Sequence, residues 1–392
     1  MRILAAGGGS GGHVSPVVAV INEIARERSD IDVLFVCDKA FETQARGLVE
    51  QGISVPVVVR TIVAGKFRRY THLTKLRQLL MPRIVLANFR DIFKIGIGFL
   101  QSIMLIRRFR PDVMFAKGGY VCLPLGMAAH VLGVPIVVHD SDTRAGLTNR
   151  VLGRWAKAIA TGSPLENYRY PASISRYVGV PIGADFHPYD EPTQRVAKRK
   201  LGLSESRPLI VVTGGGLGAE SINTAVLQAA PRLLADDVQI YHVTGRKHFD
   251  QVNALAIKDI SYQIVPFVYE GMADILGAAD IVVSRASATF IQELAGLAKA
   301  VILVPSKALG DQRKNAEVYD NAHAAVVVSD DQLKEPNLVY DELTALLKDD
   351  ERRKTLARRL NSFARPNAAK DVARMVVDTA LIAMKDHHRS LL

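Results

Sequence analysis

The sequence predicts an α/β protein with two Rossmann-like domains, each built on a parallel β-sheet. Short apolar runs alternate with helical stretches along the chain, which is the pattern of βαβ units. A strand, a glycine-rich loop and a helix occur first at Arg2 and again at Leu209. With 392 residues, 48% of them hydrophobic, the chain is long enough for two domains with buried strands. The repeated glycine loop therefore indicates two domains facing a cleft rather than one large sheet.

The apolar runs are the predicted strands. They cover residues 3–6, 33–37, 55–59, 113–116, 136–139 and 158–161, then 209–213, 240–243, 264–267, 281–283, 301–304 and 325–328. A turn at 179–183 predicts a boundary between residues 1–182 and 183–365, and the apolar spacing predicts an amphipathic helix over 369–384. Because ligands bind at the carboxyl ends of parallel strands, the loops after these runs are the candidate sites.

The loop after the first strand, residues 7–13, reads GGGSGGH. Bare backbone N–H groups at a helix N-terminus suit an anion such as a phosphate, and His13 has a side chain that titrates near neutral pH. A tight turn without a ligand is the alternative. No Lys-Ser or Lys-Thr pair follows the last glycine, so the loop is not a Walker motif. Glycines 7, 9 and 12 also fit the dinucleotide pattern, with Asp38 as its acidic residue, and this competitor stays open.

The charge and the cysteine content limit the class of protein. The net charge of +11 indicates an acidic partner, and without an RNA-binding signature we do not expect that partner to be nucleic acid. The chain enters a strand without a signal peptide, and its longest apolar run, 95–106, is too short to span a membrane. Cys37 and Cys122 lie in or beside apolar stretches, which favours buried thiols over a disulfide or a metal site.

The segment from Arg60 to Arg110 combines basic and apolar residues. It contains 12 lysines and arginines against a single acid, Asp91, interleaved with leucines, isoleucines and phenylalanines. Basic residues beside an apolar face are typical of a helix lying on an anionic membrane. The alternative is a solvated charged face over ordinary core helices.

Two groups of acidic side chains are further candidates. Asp140 and Asp142 follow a predicted strand and could hold a divalent cation, although capping of the next helix is the simpler interpretation. Glu293 follows the loop 284–289 and could accept two hydrogen bonds from a diol such as a ribose. The alternative for Glu293 is a surface glutamate on a helix.

Five ordered segments together resemble the MurG family of N-acetylglucosaminyltransferases. They are GGGSGGHVSP, KGGYVCLPLGMAA, GVPIVVHDSDTRAGLTNR, GGGLGAESIN and SRASATFIQELAGLAKAVILVPSKALGDQRKNA, which begin at residues 7, 117, 133, 214 and 284. The resemblance implies a GT-B fold and an inverting transfer without an essential metal or other cofactor. The UDP-N-acetylglucosamine donor would bind the C-terminal domain, and a polyprenyl-diphosphate-linked acceptor the N-terminal one. It also implies peripheral attachment to the cytoplasmic face of the membrane, and a C-terminal segment, 366–392, that returns to the first domain.

The resemblance also assigns roles to individual residues. His13 matches the family's histidine and is the candidate base or hydroxyl-orienting group. Glu293 matches the glutamate that holds the donor ribose, and Gln312 matches a glutamine that contacts the sugar. Tyr120 and Asn149 match acceptor-side positions. The remaining donor-side positions are Ser10, Gly11, Gly12, Asp142, Gly183, Gly216, Ala288, Thr289, Phe290, Ile291 and Gln292.

The donor side departs from the family pattern in three segments. Asp142 stands where the family usually has an amide, and Gly183 where it usually has an arginine. Gly216 and Leu217 replace a serine and a glutamine. A missing cation could be replaced by another basic residue, for which the candidates are Lys117, Arg144 and Arg285.

These departures keep other functions open. The same fold could serve a different UDP-sugar or another lipid acceptor such as a diacylglycerol. It could also be a UDP-sugar 2-epimerase, which needs no acceptor, or a nucleotide-sugar-binding subunit without catalysis. NAD-dependent oxidoreduction fits least, because His13 follows the glycines and the glycine loop is duplicated.

Overall fold

The computed structural model describes residues 1–8, 11–66, 81–307, 310–335 and 337–390. The chain divides into two compact units. Residues 1–183 and 367–392 form the first unit, and residues 184–366 form the second. Each unit contains its own parallel sheet, so the predicted α/β class with two Rossmann-like sheets is confirmed. The predicted cleft stays a prediction.

The first unit is organised around a sheet of seven parallel strands. They are β1 (Arg2–Ala6), β2 (Asp32–Asp38), β3 (Val57–Ile62), β4 (Val113–Ala116), β5 (Ile136–Asp140), β6 (Ala158–Thr161) and β7 (Ser175–Tyr177). Their order is β3-β2-β1-β4-β5-β6-β7. The order reverses between β1 and β4, so the carboxyl ends of these two strands form the switch point at which such sheets bind ligands.

The second unit repeats this plan with six parallel strands. They are β8 (Leu209–Thr213), β9 (Gln239–Val243), β10 (Tyr262–Val265), β11 (Ile281–Ser284), β12 (Ala300–Leu303) and β13 (Val326–Val327). Their order is β10-β9-β8-β11-β12-β13, and the switch point lies between β8 and β11.

Helices connect the strands in both units. Within the described residues they are α1 (Gly11–Glu27), α2 (Glu42–Gly52), α3 (Pro82–Phe109), α4 (Cys122–Val131), α5 (Leu147–Leu152), α6 (Glu191–Lys200), α7 (Glu220–Ala235), α8 (Phe249–Leu255), α9 (Met272–Ala278), α10 (Ala288–Gly296), α11 (Gly310–Asn321), α12 (Leu338–Lys348), α13 (Asp350–Asn361) and α14 (Ala368–Ser390). They cover both faces of each sheet, because alternate residues of β1 and of β8 enter separate cores.

The C-terminal helix α14 completes the core of the first unit. Its residues Val372, Val376 and Ala380 are fully buried in the core that also contains Val17 and Ile21 of α1. This packing requires an apolar stripe along α14 at helical spacing, which the sequence predicts over residues 369–384.

The structure differs from the sequence-based assignment in several places. Helix α1 begins at Gly11, so His13, which the sequence analysis places in the glycine loop, lies in the first helical turn. Strands β3 (Val57–Ile62) and β10 (Tyr262–Val265) are displaced along the chain from the predicted runs 55–59 and 264–267. Strand β7 was not predicted, because its residues Ser175, Arg176 and Tyr177 are polar or amphipathic and form a short edge strand. The buried cysteines agree with the prediction, since both are unpaired.

Candidate functional site

The glycine loop of the first unit lies at the carboxyl ends of β1 and β4. A Cβ atom on Gly7 would lie 2.4 Å from the backbone oxygen of His13, so the tight entry into α1 requires glycine. Gly119, with φ of +85°, approaches the loop from the β4 side, and a Cβ there would lie 2.7 Å from the Gly8 oxygen. Gly11 and Gly12 form the first turn of α1, and Ser10 lies outside the described residues.

His13 is half-buried beside this loop. Its Nδ1 atom is buried and has no hydrogen-bond partner within the described residues. Burial, together with the positive charges of Lys117 and Lys66, lowers the pKa of His13 to about 3. The imidazole is therefore neutral at pH 7 and has a lone pair available to accept a proton.

Lys117 directly follows β4 and is fully buried, with only 1% of its surface exposed. Its Nζ atom donates a hydrogen bond to Oγ of Ser141 at 2.6 Å. Burial lowers the pKa of Lys117 to about 8, although the nearby carboxylates of Asp142 and Asp140 act in the opposite direction. The ammonium group is thus charged at pH 7 inside the protein.

The loop after β5 contains the predicted acidic pair. Oδ2 of Asp140 accepts hydrogen bonds from the Tyr170 hydroxyl at 2.8 Å and from the Gly146 N–H at 3.2 Å. Burial raises the pKa of Asp140 to about 7. Asp140 therefore holds Gly146, the N-cap residue of α5, through its backbone N–H. This contact is of the kind that the helix-capping interpretation predicts, although it is made to the N-cap residue itself. Within the described residues no group of three or more His, Cys, Asp or Glu side chains could hold a metal ion.

Of the two acceptor-side positions, Tyr120 lies in the β4–α4 turn, and Asn149 lies on α5 beside Gly118 of the same turn. Asn149 is buried and donates from Nδ2 to the His139 oxygen at 3.2 Å, while its Oδ1 has no partner within the described residues. Tyr120 is half-buried, and burial together with the Asp38 carboxylate raises its pKa. Asp38, the acidic residue of the dinucleotide alternative, accepts the Phe41 N–H at 3.1 Å and so begins a 3₁₀ turn.

The second glycine loop connects β8 to α7. Gly218 has φ of +75°, and a Cβ atom there would lie 2.2 Å from the Thr244 oxygen, so only glycine fits against the β9 loop. Gly216 is half-buried, whereas the side chain of Leu217 is 61% exposed. Backbone groups are therefore the hydrogen-bonding groups that Gly216 and Leu217 can offer, because neither has a polar side chain.

Glu293 is the strongest candidate of the second unit. It lies on α10, the helix after β11, and only 7% of its surface is exposed. Burial, with a smaller contribution from the Asp185 carboxylate, raises the pKa of Glu293 to about 8. The structure records no hydrogen bond from the described residues to its carboxyl group. Its acceptor capacity is therefore not used by the described protein groups.

The preceding residues of α10 have mainly structural contacts. Ser287 caps the helix by accepting the Phe290 N–H at 3.3 Å. Ile291 is fully buried in the core, so its side chain does not face a ligand. Gln292 donates from Nε2 to the Phe363 oxygen at 3.2 Å, which engages its amide in holding α10. Thr289 is buried, Ala288 half-buried, and Phe290 packs on the same core.

Gln312 lies in the first turn of α11, the helix that follows the loop after β12. Its Oε1 atom accepts the Ser306 N–H at 3.0 Å, so its Nε2 atom is the end that remains to contact a sugar. Gly183 ends the first of the two segments that form the first unit and is half-buried.

The basic residues considered as replacements for the missing arginine have different surroundings. Arg285 pairs with Asp330 at 2.7 Å and also donates to the Ser221 hydroxyl at 2.9 Å. Lys117 is buried against Ser141, and Arg144 is exposed. Sequence reasoning missed Asp330, although its position just after β13 is a signal. It also missed the Tyr170 contact with Asp140, which no local pattern reveals.

Comparison with known proteins decides the family. The N-terminal domain of glycosyltransferase family 28 matches residues 3–161, and its C-terminal domain matches residues 209–372. A relative from Moorella thermoacetica is 33% identical over 97% of this chain and 99% of its own length. Its name is UDP-N-acetylglucosamine–N-acetylmuramyl-(pentapeptide) pyrophosphoryl-undecaprenol N-acetylglucosamine transferase. The chain belongs to the MurG family. A relative of the same name from Treponema pallidum is 32% identical over 94% of this chain and 93% of its own.

Solved structures show the same fold. MurG from Acinetobacter baumannii has a TM-score of 0.66 and 23% identity, over 96% of this chain and 99% of its own. A UDP-GlcNAc 2-epimerase from Neisseria meningitidis has a TM-score of 0.64 and 14% identity, over 96% of this chain and 100% of its own. The GT-B fold is therefore confirmed, as are the predicted family and the glycosyltransferase class.

Proposed function

We propose that this chain transfers N-acetylglucosamine from UDP-N-acetylglucosamine to N-acetylmuramyl-pentapeptide carried on undecaprenyl diphosphate. This is the reaction that the names of its relatives state for them. Glu293 is the observation that carries the proposal for this chain. Its carboxyl group is buried and has no hydrogen-bond donor among the described residues. It lies beyond the C-terminal ends of the strands, where sheets of this type bind nucleotides. Such a group suits a ligand that brings two hydroxyl groups.

The second unit would bind the donor. Glu293 would accept hydrogen bonds from the ribose diol, and Gln312 would donate its amide to the sugar. The backbone N–H groups of the loop at Gly216 would contact the diphosphate, since glycine lets an anion approach the backbone closely. Binding to a diol favours the ionised form of Glu293, so the ligand would lower a pKa that burial has raised to about 8.

The first unit would contribute the groups that act on the acceptor. The acceptor hydroxyl oxygen bonds to C1 of N-acetylglucosamine, the bond from C1 to the diphosphate oxygen breaks, and UDP leaves with that electron pair. The hydroxyl proton must go to a base, and neutral His13 is the candidate. A pKa of about 3 makes it a weak base, but the negative diphosphate groups would offset the charges of Lys117 and Lys66 and raise this pKa.

Helix α3 supports attachment to a membrane surface. Its exposed apolar residues recur at helical spacing and form one stripe, which we call the α3 stripe: Leu86, Phe89, Phe93, Ile97, Leu100 and Met104. Each of the six has 51–67% of its surface exposed. A contiguous apolar stripe of this kind marks an interaction surface. No helix of the described residues is long and apolar enough to cross a bilayer.

Basic residues accompany the α3 stripe. Arg90 and Lys94 lie on the same helix around the buried Asp91, and Arg107 and Arg108 are in its last turn. This arrangement favours an anionic surface, and we propose peripheral binding at the cytoplasmic face of the membrane. Another part of the basic segment lies outside the described residues: Phe67, Arg68, Arg69, Leu73, Lys75, Leu76, Arg77, Leu79 and Leu80.

A panel of donors and acceptors tests the proposal. UDP release from UDP-N-acetylglucosamine should depend on an undecaprenyl or shorter-chain lipid acceptor carrying N-acetylmuramyl-pentapeptide. Turnover of other UDP-sugars but not this one would overturn the donor assignment, and turnover with a diacylglycerol alone would overturn the acceptor. Conversion of the donor without acceptor would indicate a 2-epimerase. Donor binding without any turnover would indicate a binding subunit.

A further inference from the structure

Lys117 is a buried charge at the functional edge of the first sheet. It follows β4 at the switch point, and its Nζ atom lies 2.6 Å from Oγ of Ser141, the residue that follows β5. Enclosing a charged ammonium group in a protein is unfavourable, and burial alone lowers its pKa. Such a residue adds little to folding stability, so its position calls for another role.

The hydrogen bonds around Ser141 have a definite direction. Nε2 of His139 lies 2.9 Å from the Gly179 carbonyl oxygen, which only accepts, so Nε2 carries the proton and Nδ1 does not. The Ser141 hydroxyl lies 3.5 Å from this Nδ1 and so points its hydrogen towards His139. The oxygen of Ser141 then accepts from Lys117. Protonated Lys117 is therefore the first donor in a series of hydrogen bonds that continues through Ser141 to His139. This series fixes the start of the β5–α5 loop.

Charged groups face Lys117 from several elements. The Asp142 carboxylate after β5 and the Asp140 carboxyl group at the end of β5 favour its charged form. The thiol of Cys122 on α4 also faces it, but burial raises the pKa of this thiol to about 12, so it is uncharged at pH 7. If Lys117 were neutral, the charge of Asp142 and the partial charge of Asp140, whose pKa is about 7, would leave a negative edge. A negative edge would repel a diphosphate, so Lys117 offsets a charge that the proposed reaction cannot tolerate.

His13 faces the same ammonium group from α1. Its buried Nδ1 has no partner within the described residues, so no hydrogen bond sets its protonation state there. The charges that act on His13 are those of Lys117 after β4 and Lys66 after β3, and both disfavour the imidazolium form. Lys117 is fully buried whereas Lys66 is exposed, so solvent and salt screen Lys66 more strongly.

We propose that Lys117 is a positioning residue of the transfer reaction: it fixes the β5–α5 loop through Ser141, offsets the Asp140 and Asp142 carboxyl groups, and adds to the burial that disfavours the imidazolium form of His13. The catalytic part of this inference rests on the proposed function. The electrostatic part concerns the protein alone and is tested without substrate.

The first experiment follows His13 by NMR of its imidazole signals over pH 4–7. In wild type the signal should stay at its neutral position throughout. In Lys117→Met it should begin to titrate, with a midpoint higher by about one pH unit or more, because an adjacent positive charge has been removed. Lys117→Arg should keep the wild-type behaviour. An unchanged titration in a folded Lys117→Met protein would overturn the electrostatic part.

The second experiment measures kcat and KM against pH. Lys117→Met should lower kcat at least tenfold with donor KM within about twofold of wild type, and should move the acid limb of the profile to higher pH. Wild-type kinetics in Lys117→Met would overturn the catalytic part. If wild type itself has no transferase activity, the proposed function fails, while the NMR experiment still decides the charge of His13.

Two further variants separate this role from general stability. Lys299→Met removes another buried lysine, in the second unit, which donates to the Gly277 and Ala279 carbonyls at 2.7 and 2.9 Å and has a pKa lowered to about 8. It should leave the His13 titration unchanged, and a shift equal to that of Lys117→Met would overturn the proposal.

Ser141→Ala keeps the ammonium group but removes the 2.6 Å contact, so kcat should fall while His13 stays neutral. Wild-type kcat in this variant would overturn the loop-fixing role.

Discussion

Arg285 and Asp330 form a largely buried ion pair, with Nη1 and Oδ1 separated by 2.7 Å. The same carboxylate accepts the Ser221 hydroxyl at 2.7 Å and the Lys307 N–H at 3.2 Å. Asp330 therefore joins the loops that follow β8, β11 and β12, which are the loops of the proposed donor site. Arg285 is neutralised by this contact and is less suited to replace the missing arginine as a phosphate ligand.

We expect Asp330→Asn to destabilise the second unit by about 1–3 kcal/mol, because a largely buried guanidinium loses its charged partner. Donor KM should rise several-fold, since three loops lose their common acceptor. Urea unfolding and donor titration measure these effects. Asp331→Asn is the matched control, because the neighbouring carboxylate is exposed and pairs with the exposed Lys307 and Lys334. Equal effects of the two substitutions would contradict this account.

Glu293→Gln should separate stability from donor binding. In the wild type, the unfolded chain ionises near pH 4.5 while native Glu293 keeps its proton to about pH 8. The free energy of unfolding should therefore fall as pH rises between these values, by on the order of 3 kcal/mol at pH 7. The amide removes this loss, so the stability of the variant relative to wild type should be higher at pH 8 than at pH 5.

Donor affinity of Glu293→Gln should nevertheless fall at least tenfold, because the amide offers one acceptor oxygen in place of two. Denaturant unfolding at pH 5 and 8 with donor calorimetry tests both statements. Glu317→Gln, on the exposed side of α11, is the control and should change neither. Unchanged donor affinity in Glu293→Gln would remove this residue from the donor site.

His13→Ala should reduce turnover by about 10²–10⁴ with donor affinity within twofold of wild type, as expected for loss of a general base. A second effect follows from the lowered pKa of His13. Wild type loses stability as pH falls from 6.5 to about 3, because the unfolded chain binds the proton first. This loss should be absent in His13→Ala.

Steady-state kinetics and acid unfolding measure the two effects of His13→Ala. His130→Ala removes an exposed imidazole stacked on Trp155 and serves as the control. Turnover equal to wild type in His13→Ala would exclude His13 from the mechanism.

The α3 stripe should mediate binding to vesicles. Phe89 and Phe93 contact each other edge to face, with ring centroids 5.0 Å apart, and are 59% and 60% exposed. Replacing both by serine should weaken binding to anionic vesicles at least tenfold, since burying each ring in lipid contributes about 1.5–3 kcal/mol. The melting temperature should change little, because both side chains are already in water.

Leu255→Ser is the control for the stripe, because Leu255 is 67% exposed on the second unit. Sedimentation with neutral and with anionic vesicles measures the binding. Equal binding of wild type and the double variant would contradict the proposal that the α3 stripe binds membranes. Binding that does not depend on anionic lipid would contradict the role proposed for the basic residues.

Much of the fold follows from the sequence, because buried parallel strands read as apolar runs. Residues 113–116, 158–161 and 209–213 are predicted and observed with the same bounds. The start of α1 was missed, since glycines and Pro16 have low helix propensity and tertiary contacts decide their conformation.

The candidate site was predictable where one side chain follows one strand. Glu293 is an example, because its place on the helix after β11 follows from the order of strand, loop and helix, whereas the place of His13 within α1 does not. Contacts between distant loops were not predictable, and Asp330 with Ser221 is separated by 109 residues. The pKa values of Lys117 and Glu293 also depend on burial, which only the packed structure defines.

Helix α14 has a consequence for the order in which the protein is made. The second unit is one continuous stretch, 184–366, whereas the first unit needs residues from both ends of the chain. On the ribosome, α14 emerges after the whole second unit, and until then Val17 and Ile21 of α1 lack the partners that cover them. The core of the first unit therefore stays partly uncovered until α14 has been made, while the second unit already has all its residues available to fold. A stop codon near residue 367 would leave the second unit intact and prevent the first from closing its core.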